Sequence, residues 1–381
     1  MTLLRHLAYL CIAMFPPASA RTRARAAGIL PAKPRINPRI PMDVSSLIAG
    51  RKARWLVTGA AGFIGSHLAE SLALAGQSVI AIDDFSTGKQ ANIDAIMAST
   101  RAAGQDGLQF EEGTICDRTF CNRVVEGVDY VLHQAALGSV PRSMKTPLVS
   151  FQANVSGFME IIDAARQAEV KSFVYASSSS VYGDHPALPK MESVTGNVLS
   201  PYAATKAADE LFAGTYARCY GMRVAGMRYF NVFGARQDAN GAYAAVIPRW
   251  IATLLRQEAV QINGDGQTSR DFCYIDNVVQ ANIRAALTLA DDEPGTADVF
   301  NVAASRRTTL LELAELLRKL IQEVKPDLQM PAPVFADFRP GDVRHSLADI
   351  SHSQERLGYQ PSHLLEDGLR IALPWFIENP A

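Results

Sequence analysis

The chain has 381 residues, of which 48% are hydrophobic and 20% are charged, so it has enough apolar side chains for one large core or two smaller ones. This composition excludes a chain that is mainly disordered. The formal net charge of −1 provides no basic excess, so we expect no nucleic-acid partner.

The first 45 residues differ in composition from the rest of the chain. Residues 1–42 carry seven arginine and lysine side chains and no acidic one, which leaves a charge of −8 on the remainder. An apolar stretch after Arg5 resembles the core of a secretory signal but is too short to span a bilayer. A start of translation upstream of Met42 explains the same residues. We expect residues 1–45 to be poorly ordered and no membrane partner.

Cysteine and histidine patterns bear on metal binding and on the redox setting. The five cysteines are odd in number, widely separated and without a Cys-x-x-Cys pair, and the seven histidines include no close pair. These patterns argue against a disulfide framework and against a zinc site. We therefore expect no metal and a reducing, cytoplasmic setting.

A glycine-rich turn lies between the first predicted strand and the first predicted helix. Residues 54–58 form a short apolar run, Gly59, Gly62 and Gly65 follow it, and a helical pattern continues over 66–72. Glycines allow a tight turn in which the pyrophosphate of a dinucleotide approaches N–H groups at the helix N-terminus. The segment therefore predicts a dinucleotide site.

The second predicted strand, 78–82, ends in two carboxylates. Asp83 and Asp84 follow Gly65 by eighteen and nineteen residues, where a carboxylate can bind the adenosine ribose hydroxyls. An acidic group there disfavours a 2′-phosphate, so NAD is predicted rather than NADP. Further apolar runs at 129–136 and 172–177 predict a doubly wound parallel α/β sheet, whose ligands collect at the carboxyl ends of the strands.

A possible acid–base pair lies at the start of a predicted helix. Tyr202 and Lys206 follow Pro201 at an i, i+4 spacing, which places the phenol and the ammonium on one helix face. The cation favours the ionised phenol, which can then act as a general base on a hydroxyl. Ser178, 24 residues upstream of Tyr202, directly follows a predicted strand.

These residues resemble the extended short-chain dehydrogenase/reductase family, and within it the UDP-galactose 4-epimerase type. The resemblance covers residues 53–380, and its motifs lie at 58–65, 133–136, 154, 178, 202–206, 228–234, 270–272 and 339–342. It implies an NAD-binding Rossmann domain over 46–231. It also implies a smaller α/β domain over 232–381 that binds a nucleotide sugar, with some segments returning to the first sheet.

The resemblance implies an enzyme that inverts C4 of a UDP-hexose through a transient 4-keto sugar, with a tightly bound NAD. Tyr202 would remove the proton of the 4-hydroxyl, Ser178 would hydrogen-bond the same oxygen, and Lys206 would hold the nicotinamide ribose. Besides the three glycines, Tyr202 and Lys206, the positions that match NAD-binding residues are Phe63, Ile64, Asp83, Asp84, Asp117, Gln134, Asn154 and Val232. The positions expected to bind substrate are Ser139, Ser178, Ser179, Tyr202, Asn231, Arg270, Arg339, Asp342 and Ser346.

The reaction type and the sugar are further predictions from this resemblance. Related dehydratases and decarboxylases carry acidic residues where this chain has Ser179 and Ser180, which favours simple epimerisation. Ser346 stands where a small residue leaves room for an N-acetyl group, and Gly138 stands where many glucose-type members have a lysine. The closest resemblance is thus to bacterial UDP-N-acetylglucosamine (UDP-GlcNAc) and UDP-N-acetylglucosaminuronate (UDP-GlcNAcA) 4-epimerases of surface-polysaccharide pathways. UDP-glucose and UDP-glucuronate remain alternatives.

Two other functions and an oligomeric state also follow from the sequence. A non-catalytic NAD-binding scaffold is one alternative, although such proteins usually lack the Tyr or the Lys that this chain retains. A net oxidoreductase that releases NADH is another. Predicted helices at 147–166 and 201–220 resemble the pair that forms a four-helix dimer interface in this family, so we expect a homodimer.

Overall fold

The computed structural model describes residues 44–240, 244–338 and 343–380. Its strands are β1 (Arg54–Thr58), β2 (Ser78–Asp83), β3 (Leu108–Glu112), β4 (Tyr130–His133), β5 (Ser172–Ser178), β6 (Val224–Tyr229), β7 (Val232–Phe233), β8 (Gln261–Asn263), β9 (Ser269–Asp271), β10 (Cys273–Tyr274), β11 (Ala297–Val302), β12 (Arg307–Thr309) and β13 (Val334–Ala336). Its α-helices are α1 (Val44–Leu47), α2 (Phe63–Leu74), α3 (Gln90–Ala102), α4 (Arg118–Val124), α5 (Val140–Lys145), α6 (Pro147–Phe151), α7 (Gly157–Gln167), α8 (Pro201–Tyr220), α9 (Val246–Leu255), α10 (Ile275–Ala290), α11 (Leu310–Val324), α12 (Ser351–Leu357) and α13 (Leu365–Glu378). Nearly all of the expected leader, and the predicted site residues Arg339 and Asp342, lie outside the described residues.

Seven of the described strands form one parallel sheet in the order β3-β2-β1-β4-β5-β6-β11. The predicted doubly wound α/β fold is therefore confirmed. Successive strands are added on one side of β1, from β1 to β3, and on the other side from β4 to β11. The order therefore reverses between β1 and β4, which leaves a crevice at the carboxyl ends of these two strands. The strand β11 and the helix α10, both from the second half of the chain, complete this sheet and one of its covering layers.

The central strands are apolar along their whole length because helices cover both faces of the sheet. In β1, Trp55 and Val57 pack into the core on the side of α2 and α10, whereas Leu56 packs on the other side with α4, α7 and α8. All three side chains are fully buried. Each face of the sheet thus has its own layer of packed helices.

Short two-stranded pairs lie outside the main sheet. The strands β7 and β10 pair in parallel, as do β8 and β13, and β9 pairs with β12 in antiparallel fashion. They bring segments from beyond residue 231 to the carboxyl edge of the sheet, where a ligand would bind. In the described ranges, no helix is both long enough and apolar enough to cross a bilayer.

One histidine is enclosed at the end of a central strand. His133 ends β4 at 1% exposure, its Nδ1 lies 2.8 Å from the Thr58 hydroxyl, and the rings of Phe158 and Phe173 flank it. Burial lowers the pKa of His133 to about 3, and the nearby charge of Lys206 contributes. The imidazole is therefore neutral in the folded protein.

We expect His133 to make folding sensitive to acid. In the unfolded chain the imidazole binds a proton near pH 6.5, and in the folded protein only near pH 3, so the free energy of unfolding falls as the pH drops below about 6.5. Between pH 7.5 and 5.0, urea unfolding should show a decline about 2 kcal/mol larger for the wild type than for His133→Gln. The control His185→Gln, at a half-buried histidine, should keep the wild-type decline. An identical decline in His133→Gln would contradict this assignment.

Candidate active site

The turn after β1 leaves no room for side chains. Gly59 has a φ of 68°, and a Cβ on it would lie 2.8 Å from the backbone nitrogen of Ala135, just beyond β4. A Cβ on Gly65 would overlap the carbonyl oxygen of Gly59. Only glycine fits both positions, so the start of α2 lies tightly against this turn.

The end of β2 places two carboxylates beside this turn. Asp83 is 8% exposed and accepts hydrogen bonds from the N–H groups of Ala61 (2.9 Å) and Phe85 (2.8 Å). Burial raises the pKa of Asp83, and the two N–H donors oppose this shift. Asp84 accepts from the N–H of Ser86 at 2.9 Å. A carboxylate has further lone pairs, so these groups can still accept hydrogen bonds from ribose hydroxyls.

A cleft runs along the carboxyl edge of β1, β2, β3 and β4. The predicted NAD-binding residues that line it are Gly59, Gly62, Asp83, Asp84 and Gln134. Phe63, Ile64 and Gly65 form the first turn of α2, whose leading N–H groups have no partner within the helix and attract phosphate. The groups along this cleft could therefore hold a dinucleotide, with the start of α2 available to its pyrophosphate and Asp83 to its adenosine ribose.

The segment after β3 differs from the sequence prediction. Thr114, Ile115 and Cys116 line the cleft, whereas Asp117 caps α4 by accepting from the N–H of Thr119 at 2.8 Å. Its role toward NAD stays a prediction. The signal for these cleft residues is their position just after β3, the strand that pairs with β2.

Gln134 belongs to a buried polar network that the sequence did not reveal. Its side-chain oxygen accepts from the hydroxyl of Tyr229 (3.0 Å), and its amide nitrogen donates to Asn282 (3.1 Å). The three residues come from the ends of β4 and β6 and from α10. The network fixes the amide of Gln134 at the wall of the cleft.

A π-helical turn over Gln152–Ser156 joins α6 to α7 and places Asn154 inside the protein. The Asn154 side chain accepts from the N–H of Leu137 (2.7 Å) and donates to the hydroxyl of Thr205 (3.1 Å). Asn154 therefore links the segment after β4 to α8. The sequence predicted one regular helix here, and the structure shows a wider turn in the middle of it.

The first turn of α8 carries the predicted acid–base pair. The Ser200 hydroxyl caps the helix by accepting from the N–H of Ala203 at 3.1 Å, and Pro201 occupies the first helical position. The N–H of Tyr202 donates to the hydroxyl of the buried Ser143, in α5, at 3.0 Å. These contacts fix the helical turn that holds Tyr202 and Lys206.

Lys206 forms a buried ion pair that the sequence did not predict. Its ammonium lies 3.1 Å from Oδ2 of Asp209, and the two side chains are 2% and 0% exposed. Burial raises the pKa of Asp209 to about 7, although the charge of Lys206 opposes the shift. Oδ1 of Asp209 is buried and has no hydrogen-bond partner in the described part of the chain. The i, i+3 spacing was the only signal in the sequence.

Ser178 is the last residue of β5, and its hydroxyl caps the short 3₁₀ turn Ser179–Tyr182. It accepts from the N–H and the hydroxyl of Ser180, at 3.2 and 2.9 Å. Both β5 and this turn pack against α8. The structure thus brings the strand end with Ser178 to the helix that carries Tyr202 and Lys206.

A second cavity, of about 440 Å³, lies beyond this strand end. The predicted substrate-binding residues Ser179, Asn231, Arg270 and Ser346 all line it. Ser139 does not, because its side chain caps α5 by accepting from the N–H of Arg142 at 3.2 Å; the next residue along the chain, Val140, does.

A buried aspartate holds the wall of this cavity together. Asp271, which directly follows Arg270, accepts from the N–H groups of Ala304 (3.0 Å) and Ala348 (3.1 Å), and Ala348 lies two residues after Ser346.

Val232, expected near NAD, lies elsewhere. It lines an adjoining cavity with Asn231 and Arg270 rather than the cleft beside β1.

A glycine-lined cleft, a second cavity and a Tyr/Lys pair on α8, whose neighbouring residues Ser200 and Ala203 line that cavity, are the features of an NAD-dependent enzyme of the short-chain dehydrogenase/reductase type. The model of the NAD dependent epimerase/dehydratase family matches residues 55–303, so the chain belongs to this family. It is therefore an epimerase that uses NAD.

Individual relatives agree with this assignment. The chain is 35% identical over 325 residues to a UDP-glucose 4-epimerase of Mycolicibacterium smegmatis, with 85% of this chain and 98% of the relative covered. It is similar to the structure of a UDP-N-acetylglucosamine 4-epimerase from Methanobrevibacter ruminantium in complex with UDP-N-acetylmuramic acid (TM-score 0.77, 36% identity, 86% and 99% covered). It is also similar to a mutant UDP-glucuronic acid 4-epimerase from Bacillus cereus, in complex with UDP-4-deoxy-4-fluoro-glucuronic acid and NAD (TM-score 0.74, 28% identity, 86% and 99% covered).

We expect the pair Lys206–Asp209 to be strongly coupled in stability. Asp209→Ala should lower the free energy of unfolding by about 3 to 5 kcal/mol, because it leaves a buried ammonium without a counter-ion. The double variant Lys206→Met/Asp209→Leu should lose less than the two single variants together, as measured by urea unfolding. The exposed pair Lys319–Glu366 provides the control: Glu366→Ala should cost less than about 1 kcal/mol. Additive losses at Lys206 and Asp209 would refute the coupling.

Proposed function

We propose that the chain inverts C4 of an N-acetylated UDP-hexose, converting UDP-GlcNAc to UDP-N-acetylgalactosamine (UDP-GalNAc), or the corresponding uronic acids, through a 4-keto sugar. The observation that carries this proposal is the way in which the two ligand sites meet. The segment after β4 lines the dinucleotide cleft at Gln134 and the second cavity at Val140, and α8 packs along this segment. A sugar in the cavity would thus lie next to the reactive end of the cofactor.

The residues of this junction have separate roles. Tyr202 takes the proton of the 4-hydroxyl and later returns it, and Lys206, one helical turn away, would hold the nicotinamide ribose. Ser178 holds the same sugar oxygen by a hydrogen bond. When bound, NAD would supply the redox chemistry, accepting the C4 hydrogen together with its bonding electron pair and later returning both. Arg270 and Arg339 hold the diphosphate, for which paired guanidinium groups are suited.

The cavity wall supports an N-acetylated sugar and an epimerisation. Ser346, a small residue, lines the cavity and leaves room for an N-acetyl group. Ser179 and Ser180 line the same cavity, and no acidic residue does so in the described ranges. Elimination or decarboxylation would need an additional acid or base there. UDP-glucose and UDP-glucuronate are the second candidates, since relatives of this chain carry those names.

The proposed reaction can be followed directly. Purified protein without added NAD should convert UDP-GlcNAc to UDP-GalNAc, observed by NMR, with UDP-glucose, UDP-glucuronate and UDP-GlcNAcA in parallel. Tyr202→Phe should reduce kcat by about a thousandfold, because it removes the general base. Tyr220→Phe, at an exposed tyrosine in the same helix, should not. Wild-type turnover in Tyr202→Phe would remove Tyr202 from the mechanism.

A homodimer is part of the proposal. Exposed apolar side chains cover one surface of the packed helices α6 and α8, where Leu148, Phe151 and Leu211 are 80%, 52% and 66% exposed. An apolar surface of this kind marks a protein interface.

Sedimentation equilibrium should therefore give twice the chain mass of 41.3 kDa. Leu148→Glu should shift the protein to the monomer, because a carboxylate would be buried in the interface. Val324→Glu, at an exposed apolar residue of α11, should leave the mass unchanged. A monomeric wild-type protein would refute the dimer.

A further inference from the structure

Lys190 is a buried cation in the wall of the proposed sugar cavity. Its side chain is 7% exposed, and it lines the same cavity as Ser179, Arg270 and Ser346. Its ammonium donates to the carbonyl oxygen of His185. In the ranges that the structure describes, no carboxylate forms an ion pair with it. Because an ammonium has three donors, Lys190 can bind a further acceptor.

The position of Lys190 is fixed against the segment that carries Ser346. The N–H of Lys190 donates to the carbonyl of Leu347 at 2.8 Å, and its own carbonyl accepts from the N–H of Asp349 at 2.9 Å. A parallel bridge joins Lys190 to Ala348. Lys190 therefore lies beside the residue that is expected to border the sugar's C2 and C5 substituents. In a hexose, the substituent at C5 is the C6 group.

The described lining of the cavity carries positive charge and no acidic side chain. It includes Lys190 and Arg270 and no aspartate or glutamate. Burial lowers the pKa of Lys190, which reflects the cost of holding this charge without a counter-ion. In the proposed function the diphosphate is bound by Arg270, so it does not serve as the counter-ion of Lys190. A second anionic group on the ligand would supply the missing counter-ion.

We propose that Lys190 binds the C6 carboxylate of a UDP-hexuronate and makes the enzyme prefer the uronic acid to the sugar with a C6 hydroxymethyl group. This inference rests on the proposed C4 epimerisation and selects among its substrates. Residues 184 and 185 lie next to the cavity-lining Gly183, so Lys190 could instead serve only to hold this segment through His185. The two roles differ in their effect on a neutral sugar.

The test compares UDP-GlcNAcA with UDP-GlcNAc in kcat/KM. The wild type should prefer the uronic acid at least tenfold. Lys190→Met, which keeps the apolar stem, should lower kcat/KM for UDP-GlcNAcA by about 30- to 100-fold, mainly through KM, and change that for UDP-GlcNAc less than about threefold. Lys190→Arg should retain most of the preference. Lys145→Met, at an exposed lysine of α5, should behave as the wild type.

The outcomes separate this inference from the function on which it rests. An equal loss with both sugars in Lys190→Met would show a structural role and overturn the proposal, as would a wild type that converts UDP-GlcNAc but not the uronic acid. No turnover of any UDP-sugar would overturn the proposed function instead. Calorimetry then still tests Lys190, since UDP-GlcNAcA should bind the wild type at least tenfold more tightly than UDP-GlcNAc. That difference should vanish in Lys190→Met; a wild type that binds both sugars equally would contradict the role of Lys190.

Discussion

The backbone contact between Gly59 and Ala135 is the constraint on which the site depends. It holds the segments that follow β1 and β4 together at the point where the direction of sheet building reverses, and any side chain on Gly59 would push them apart. From this point Asp83 and the start of α2 line one side of the cleft, and Gln134 lines the other. The same segment then continues to the second cavity. A cofactor and a sugar in these two sites would therefore approach each other along this segment.

The helix that carries the proposed base is fixed at successive positions of its first turns. Ser143 accepts from the N–H of Tyr202, Asn154 reaches Thr205, and Asp209 pairs with Lys206. These partners come from α5, from the π-helical turn and from α8 itself. Proton transfer needs a base held within hydrogen-bond reach of its substrate. The position of Tyr202 is thus fixed by several contacts along the helix rather than by one.

Local signals made part of this structure predictable. The strands β1 and β5 and the helix α8 match the predicted bounds to within one residue, because they combine unbroken apolar runs or a strong cap with clear ends. The dinucleotide site was predictable because the spacing of its glycines and the acidic residue at the end of the next strand are patterns that the sequence itself displays. In contrast, the burial of the Lys206–Asp209 pair, the buried position of Lys190 and the network of Gln134 depend on which distant segments pack together. Sequence spacing does not carry that information.

The position of a residue, more than its type, decides its role in this site. Asp117 and Thr114 lie three residues apart, yet the side chain of Asp117 caps α4 whereas Thr114 lines the cleft. Lys145 and Lys190 differ in the same way, since one is in solvent and the other in the cavity wall. Burial and the neighbouring charges, rather than residue type, decide which of them can act on a ligand.

The central claim is that the hydrogen on C4 leaves and returns within one closed site, and a deuterium label tests it most directly. The protein would be incubated in ordinary water with UDP-GlcNAc that carries deuterium at C4, and the product examined by NMR and mass spectrometry. We expect UDP-GalNAc to retain the deuterium at C4, because the cofactor stays bound and returns the same atom to the opposite face. Replacement of the label by hydrogen from solvent would contradict the proposed reaction.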